Sequence, residues 1–394
     1  MNKVPSLRFK EFSGEWEEKR LGEVSEIIMG QSPSSSEYNE EFKGLPLIQG
    51  NADCKNRKIY PRMYTTEITK ESFPNDIIMT VRAPVGAISF SDIHSCIGRG
   101  VCAIRNANKF IYHYLIKLED SWDKLAQGST FTAVNSNDIK NLAVKFPCLK
   151  EQEKIGNFLS SVDKKISIVE EKLNLFNQYK KGIMQKIFNQ ELRFKDENGN
   201  NYPEWEEKKL GDLITSQGGR ALEKYSNESG KYKFISIGNY SENSKFLDNG
   251  KRIDLNSETE KQLLNKNELV MILNDKTKTG NIIGRTLLID ENNMYIYNQR
   301  SQRIVCKKEF LPKFAYVLLN SSYRNNIVQN AQGGTQIYIN FSTVENLILN
   351  LPCLEEQKKI ADFLFAIDDK IENISGNLES LKLFKKSMLQ KMFV

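Results

Sequence analysis

The chain has 394 residues, a net charge of +6, 39% hydrophobic residues and 27% charged residues, which is typical of a folded protein with two or three domains. No apolar run approaches the roughly 18 residues that a membrane-spanning helix needs, and the polar N-terminus lacks a signal-peptide core, so we expect a cytoplasmic protein. Six cysteines without a C-x-x-C pair and only two histidines argue against a disulfide framework and a histidine-rich metal site, while the basic excess suits a polyanionic partner without proving one.

The first predicted element is a short N-terminal segment that the chain repeats. "LRFKEFSGEWEEKRLGEV" from Leu7 returns as "LRFKDENGNNYPEWEEKKLGDL" from Leu192, with a few residues inserted. An internal repeat of this kind indicates that one structural unit occurs twice. The repeated tryptophans, Trp16 and Trp205, are interpreted as packing anchors rather than as residues that stack on a base.

A mixed α/β domain is predicted for residues 1–146, including the conserved segment 1–21. Apolar runs over Asp76–Val81, Gly86–Phe90 and Gly100–Ile104 predict strands, and the periodicity of Phe110–Ala126 predicts an amphipathic helix. The second variable region, residues 191–351 with conserved segment 192–211, repeats this order. Its strands are predicted at Leu269–Leu273, Arg285–Ile289 and Gln302–Cys306, and its helix at Lys313–Gln329.

The loops of both domains differ in sequence and carry side chains that suit DNA. Arginine matches the guanine edge, Asn and Gln match the adenine edge, and Lys, Ser, Thr and glycine amides suit phosphate. Any single one of these residues could equally be a plain solvated side chain, so the hypothesis depends on their repeated clustering. The candidates are Thr80, Arg82, Gly86, Arg99, Gln127 and Thr130 in the first domain, and Asn274, Lys276, Lys278, Gln299, Arg300, Gln302, Gln332 and Thr335 in the second.

The motifs "AQGST" and "AQGGT" close the two domains, at Ala126–Thr130 and Ala331–Thr335. Their glycines are interpreted as helix C-caps, although the Gln and Thr side chains could also contact the DNA backbone.

Two long helices are predicted at residues 147–190 and 352–394. The stretches 126–188 and 331–393 align without a gap at an offset of 205, with 25 identities over 63 positions. Apolar residues recur in the 4-3 spacing of a coiled coil. The seam residues are Ile155, Leu159, Val162, Ile166, Val169, Leu173, Phe176, Ile183 and Ile187, and then Ile360, Leu364, Ile367, Ile371, Ile374, Leu378, Leu381, Met388 and Met392.

Lys180 and Lys385 interrupt the seam at the same heptad position in both helices. One interpretation is that each lysine extends its amine to water, and the other is that these polar residues help to fix the register of the helix pair. We expect the two helices to pair with each other in antiparallel orientation. An intermolecular coiled coil is the alternative.

The order of the repeated pieces predicts a circular arrangement. The first long repeat is followed closely by the "LRF" segment, whereas the second ends at the C-terminus and its "LRF" segment stands at the N-terminus. Leu7–Leu21 should therefore pack near the end of the last helix. The predicted fold class is α+β, with two mixed α/β domains joined by two long antiparallel coiled-coil helices in a pseudo-two-fold arrangement.

No catalytic motif is found. The sequence lacks a phosphate-binding G-x-x-x-x-G-K-[ST] loop, a G-x-G-x-x-G fingerprint, H-E-x-x-H and G-x-S-x-G, and it has no N-P-P-Y or D-P-P-Y motif of an adenine methyltransferase. These absences favour a recognition protein over an enzyme.

The duplicated motif around "PCLKEQEKI" from Pro147 and "PCLEEQKKI" from Pro352, together with "NDIIMTVRAPVGA" and "CIGRGVCAIR", resembles the specificity (S) subunit of type I restriction–modification systems. The resemblance implies two target recognition domains, each recognising one half of a bipartite double-stranded DNA site. It implies that two modification subunits, which use S-adenosylmethionine to methylate adenine, and restriction subunits, which use ATP and Mg²⁺, supply the catalysis in host defence. This chain itself would then hold no cofactor and no metal.

The resemblance further implies that the paired helices set the spacer between the half-sites and form the docking surface for the modification subunits. The residues assigned to this role are Glu151, Gln152, Ile155, Leu159, Val162, Ile166, Glu356, Gln357, Ile360, Leu364, Ile367 and Ile371. The main alternative is a two-domain coiled-coil adaptor that binds proteins, for which no salt-dependent DNA affinity is expected. A stand-alone DNA-binding regulator and a self-contained nuclease have less support.

Overall fold

The structure is a computed structural model that describes residues 4–127 and 133–394, except for the side chains of residues 120 and 123–127. The chain forms two compact units, the first comprising Met1–Glu171 with Ser375–Val394 and the second Lys172–Ile374. Within the described ranges, no helix has the length and apolar character required to cross a membrane.

The first unit contains a mixed set of short strands and helices. Its strands are β1 (Glu17–Arg20), β2 (Glu26–Met29), β3 (Tyr38–Asn39), β4 (Leu45–Ile48), β5 (Cys54–Lys55), β6 (Lys58–Ile59), β7 (Met63–Thr65), β8 (Glu71–Ser72), β9 (Ile77–Thr80), β10 (Ile88–Phe90), β11 (Ser95–Ile97), β12 (Val101–Arg105) and β13 (Ala143–Phe146). Its helices are α1 (Leu21–Val24), α2 (Lys109–Gln127), α3 (Ser136–Lys140) and the first part of α4 (Leu149–Phe188).

Two larger sheets carry the first domain. One has the order β2-β12-β9-β10-β6-β5 and the other β3-β7-β4-β11-β8. Every residue of β9 is buried, which explains why its sequence is a continuous apolar run rather than an alternating one. The core on one face of the first sheet includes Ile77 and Met79 of β9, Phe110 of α2, and Ile155 and Leu159 of α4.

The second unit contains the remaining strands and helices. Its strands are β14 (Glu206–Lys209), β15 (Ile214–Gly218), β16 (Ser226–Asn227), β17 (Tyr232–Ile235), β18 (Arg252–Ile253), β19 (Leu269–Ile272), β20 (Asn274–Asp275), β21 (Thr286–Leu288), β22 (Tyr295–Tyr297), β23 (Ser301–Cys306), β24 (Ile337–Tyr338) and β25 (Ile348–Leu351). Its helices are α5 (Leu210–Leu213), α6 (Pro312–Leu319), α7 (Arg324–Gln329), α8 (Phe341–Glu345) and α9 (Leu354–Met392), which continues into the first unit.

The second unit repeats the framework of the first. Its sheet β15-β23-β19-β21 has the same order as β2-β12-β9-β10, and the parallel pair β17–β22 matches the parallel pair β4–β11. The helix predicted over Lys313–Gln329 is instead two helices, α6 and α7. The break occurs at Asn320, whose side chain donates to the Thr286 carbonyl oxygen at 2.9 Å and accepts from the Thr286 amide at 3.1 Å.

The two long helices are antiparallel in each unit. In the first unit, Lys385 Nζ lies 2.5 Å from Asp163 Oδ1 and Lys382 Nζ lies 2.8 Å from Glu170 Oε1, so the numbering of one helix falls as that of the other rises. Each predicted seam residue is buried or half-buried. The coiled-coil prediction is confirmed, and the helices pair within one chain.

The second unit contains the matching helix segments. Lys180 Nζ lies 2.5 Å from Asp368 Oδ1, and Ile187 shares a core with Ile360 and Leu364. The interpretation that the seam lysines extend only into water is therefore wrong, because each amine binds an aspartate. The heptad pattern could not show this, since the partner lies on the other helix.

The N-terminal segment packs against the end of the last helix, as the circular arrangement predicts. Leu7 N donates to the Lys391 carbonyl oxygen at 2.9 Å, and the Phe393 and Phe110 ring centroids are 5.0 Å apart. Trp16 is buried, with its ring centroid 5.6 Å from that of Phe110, so it is a packing residue.

Candidate nucleic-acid interface

The loop after β9 in the first unit is shaped by Thr80 and Gly86. Thr80 is buried, its hydroxyl donates to the Pro84 carbonyl oxygen at 2.6 Å, and it accepts from the Ala87 amide at 2.9 Å. Gly86 has φ +84°, and a Cβ there would lie 2.3 Å from a ring atom of Trp122, so only glycine fits. Both residues organise the loop, and Arg82 stands exposed on it.

The turn between β11 and β12 presents Arg99. Gly98 N donates to the Ile48 carbonyl oxygen at 2.8 Å, and a Cβ on Gly100 would lie 2.0 Å from the Gln49 carbonyl oxygen. The backbone amide of Arg99 donates to Ser32 Oγ at 3.2 Å. Because glycines flank Arg99 on both sides, the turn can approach the neighbouring loop closely while the Arg99 side chain stays exposed.

Arg82 and Arg99 are connected through one backbone contact. Val81 N, next to Arg82, donates to the carbonyl oxygen of Gly100, next to Arg99, at 2.9 Å. Within the described part of the first unit, no carboxylate pairs with either guanidinium group. Two exposed and uncompensated arginines on adjoining loops provide donors for phosphate or for the guanine edge.

The second unit has the same backbone contact between its two loops, but different residues lie around it. Leu273 N donates to the Arg300 carbonyl oxygen at 2.8 Å, which corresponds to the contact between Val81 and Gly100. Arg300 is exposed and has φ +67°, a left-handed conformation that is uncommon for a residue with a side chain. The frame is therefore shared, and an arginine occupies the position that a glycine holds in the first domain.

Glu223 lies beside the exposed residues around Arg300, and the sequence did not predict a role for it. Asn298 Nδ2 and Gln299 Nε2 donate to Glu223 Oε1 at 2.6 and 3.1 Å. Partial burial raises the pKa of Glu223. These hydrogen bonds and the charge of Arg300 lower it more, so the pKa of Glu223 lies below its usual value. Glu223 lies 75 residues before Asn298, so no local motif connects the two.

The loop after β19 presents two lysines. Lys276 and Lys278 are exposed, and Asn274 is half-buried in the short ladder of β20 with β24. Asp275 is buried and accepts from the amides of Thr277 and Ile282 at 3.0 and 2.8 Å. Burial raises the pKa of Asp275, but these amides lower it below the usual value, so its carboxylate is fixed inside the loop while the lysines face outwards.

The remaining candidates lie at the ends of the two domains, except Gln302, which lies in β23. Gln332 and Thr335 are exposed and Gln302 is half-buried, while Thr130 and the side chain of Gln127 lie outside the described residues. The prediction that Gly333 caps a helix is wrong, since α7 ends at Gln329 with Asn330 as its C-cap. Gly333 instead lies in a turn closed by paired hydrogen bonds between Gln332 and Tyr338, both 2.8 Å.

The polar residues assigned to the helix starts are buried. Glu151 and Glu356 are fully buried, and each accepts hydrogen bonds from an arginine of the repeated "LRF" segment. Gln152 Nε2 donates to the Pro147 carbonyl oxygen at 2.8 Å, and Gln357 Nε2 donates to the Pro352 carbonyl oxygen at 2.9 Å. These four side chains hold the junction between domain and helix.

The apolar residues assigned to docking all lie in the seam. Ile155, Leu159, Val162, Ile360, Leu364 and Ile367 are buried, and Ile166 and Ile371 are half-buried. Their surface is occupied by the helix pair and the domain cores. A docking role for them stays a prediction.

Comparison with known proteins identifies this arrangement. The family model described as "Type I restriction modification DNA specificity domain" matches residues 13–178 and 202–383. The chain belongs to this family of DNA specificity proteins. It is accordingly a DNA-recognition subunit and not an enzyme, and the family favours DNA recognition over the adaptor alternative.

Two relatives match this chain over nearly their whole length. The MjaVIII specificity subunit of Methanocaldococcus jannaschii is 26% identical, with 97% of this chain and 94% of the relative covered. The MjaIX specificity subunit of the same organism is 23% identical, with 96% and 92% covered. The crystal structure of a type I S subunit from M. genitalium shares the fold at TM-score 0.65 and 17% identity, with 99% of both chains covered.

Proposed function

We propose that this specificity subunit recognises a bipartite double-stranded DNA site, with each domain contacting one half. The observation that supports the proposal is that the two domains share one backbone framework, while the side chains on their loops differ. The contacts of Val81 with Gly100 and of Leu273 with Arg300 occupy equivalent places, yet the exposed side chains around them differ. Two domains with one framework and different loop chemistry would recognise two different half-sequences.

The candidate side chains divide by the chemistry that each can perform. Arg82, Arg99 and Arg300 have the planar fork that suits a guanine edge, and Lys276 and Lys278 suit phosphate. Their exposure leaves them available to a ligand. Thr80 and Gly86 would act by shaping the loop that carries Arg82.

We further propose that the helix pair sets the unspecified spacer and that two modification subunits dock on it. The helices are 40 and 39 residues long, and the repeat supplies two equivalent sets of surface residues, which suits two copies of one partner. Adenine methylation with S-adenosylmethionine would be performed by those partners, and ATP- and Mg²⁺-dependent restriction by further subunits. We expect this DNA-bound complex to act in the cytoplasm.

The proposal is tested by mapping N6-methyladenine across the genome in cells that contain the modification subunits, with and without this chain. We expect methylation at one bipartite motif that disappears when the chain is deleted. Exchanging residues 191–351 for the same region of a relative should change one half of the motif only. Methylation that persists after deletion, or a change in both halves, would contradict the proposal.

A further inference from the structure

The two lysines in the coiled-coil seam form the same ion pair twice. Lys180 binds Asp368 in the second unit and Lys385 binds Asp163 in the first, each with Nζ 2.5 Å from Oδ1. At the offset of 205, Lys180 corresponds to Lys385 and Asp163 to Asp368. We call these two ion pairs the seam pairs.

The seam pairs are more buried than ordinary surface pairs. The exposed fractions are 25% for Lys180 and 12% for Asp368, and 14% for Lys385 and 32% for Asp163. Exposed pairs contribute little to stability, whereas a charge that loses its partner in a largely dry site is costly. Each lysine therefore strongly favours a helix alignment that provides a carboxylate.

Apolar seam residues do not select one alignment by themselves. Isoleucine, leucine and valine recur every seventh residue, so a slip by one heptad would still place apolar side chains together. The same slip would place Lys180 opposite Ala361 or Ser375, according to its direction. Neither residue has a carboxylate.

The second seam pair restricts the alignment in the same way. A slip in one direction would place Lys385 opposite Gly156, and a slip in the other would place it opposite Glu170. In neither direction would Lys180 and Lys385 both meet a carboxylate. Only the observed alignment satisfies both lysines.

Each seam pair also lies next to a recognition domain. In the first unit, Asp163 Oδ2 is 3.9 Å from Nδ1 of His113 on α2. In the second unit, burial first and then the charge of Asp368 raise the pKa of Tyr316 on α6. The alignment of the helices is therefore connected to the domains that the helices support.

We propose that the seam pairs are positioning residues that fix the register of the helix pair, and through it the number of unspecified base pairs between the half-sites. This inference rests on the proposed function, because it assumes a bipartite site. It assigns a role in specificity to Lys180, Asp368, Lys385 and Asp163, none of which contacts a recognition loop.

The test maps methylated adenines for charge-reversal variants expressed with the modification subunits. Lys180→Asp should lower methylation at the wild-type spacer by about tenfold relative to other spacers, with both half-sequences unchanged. The exchanged pair Lys180→Asp with Asp368→Lys should restore the wild-type spacer. The matched control is Lys382→Glu, which reverses an exposed pair with Glu170 that crosses the same helices but is not repeated.

Restoration by the exchanged pair, with the control unchanged, supports the inference. The inference is overturned if Lys180→Asp keeps the wild-type spacer preference. It is also overturned if the chain with the exchanged pair folds with wild-type helicity but does not regain the wild-type spacer preference. Should the wild-type chain direct no bipartite methylation, the proposed function fails and the register is judged by cross-linking instead.

The cross-linking readout needs no DNA. Glu170→Cys with Lys382→Cys, in a chain with Cys148→Ser, places one thiol on each helix at positions whose present side chains meet in an ion pair of 2.8 Å, so a short bifunctional maleimide can join them. Lys385→Asp should reduce the yield of this cross-link by about tenfold, and adding Asp163→Lys should restore it. An unchanged yield in the single reversal overturns the role of the pair in register.

Discussion

Arg8 and Glu151 form a bidentate ion pair although 143 residues separate them, with Arg8 Nε and Nη2 each donating to one carboxylate oxygen at 2.7 Å. Arg193 and Glu356 form the equivalent pair in the second unit, at 3.3 and 2.9 Å. Both glutamates are fully buried. The repeated Glu-Gln motif therefore holds the short repeated segment against the start of each long helix.

Arg8→Ala should lower the free energy of unfolding by about 3 kcal/mol, because it leaves the buried Glu151 carboxylate without its partner. Denaturant unfolding followed by circular dichroism measures this change. Lys10→Ala is the matched control, since Lys10 is an exposed residue of the same segment.

Arg8→Met combined with Glu151→Leu should be much closer to the wild type in stability than Arg8→Ala, because neither partner is then a buried charge. Equal stability of Arg8→Ala and the wild-type chain would show that the pair is not needed for folding.

Arg99→Ala should relax recognition of the first half-site at one base pair, at a cost of roughly 1–3 kcal/mol if its fork contacts a guanine. Arg82→Ala should act on the same half. Arg300→Ala should affect only the second half. The methylated motif of each variant, together with binding to DNA that carries single-base changes, measures the effect. A uniform loss of affinity for all sequences would instead assign these arginines to phosphate contacts.

Glu223→Gln should change the preference of the second half-site and leave the first unchanged. A carboxylate repels phosphate but accepts a hydrogen bond from the amino group of cytosine, and here it also orients Gln299. Binding to sites with each base pair substituted measures the change. Glu228→Gln, which alters a nearby exposed glutamate, is the control. If both variants keep the wild-type motif, Glu223 has no role in recognition.

The elements that periodicity defines could be predicted, and the contacts between distant residues could not. The strands at Ile77–Thr80 and Leu269–Ile272 are continuous apolar runs and match their predictions within two residues. The break at Asn320 depends on a hydrogen bond to Thr286, a residue 34 positions away. No local propensity encodes such a partner.

In the candidate site, too, local features could be predicted from the sequence and contacts between distant residues could not. Arg99 lies between two glycines, a local signal that predicts an exposed turn. Glu223 lies in a short 3-10 turn and meets Asn298 only after Arg220 and Asn298 have formed a β-bridge, and the sequence between them gives no sign of it. The seam lysines were visible as exceptions to the heptad pattern, but their aspartate partners depend on the register, which only the structure shows.

The first unit should become less stable as the pH falls, because His113 is fully buried on α2. Burial is the largest cause that lowers the pKa of His113 from 6.5 to about 3, and the charges of Lys385, Lys109 and Arg57 act in the same direction. Asp163, 3.9 Å away, does not compensate for burial. Below pH 6.5 the unfolded chain therefore binds a proton that the folded chain does not.

The free energy of unfolding should decrease by about 1 kcal/mol between roughly pH 7 and pH 5.5, and decrease further towards pH 3. His113→Val should remove this part of the slope. Valine is the residue that the second domain has at the equivalent position, Val317, when Lys109–Phe110 is aligned with Lys313–Phe314. His94→Gln is the control, since His94 is exposed and binds Glu71. Parallel pH profiles for His113→Val and the wild-type chain would show that His113 is protonated in the folded state. The conclusion that its buried imidazole is neutral would then be wrong.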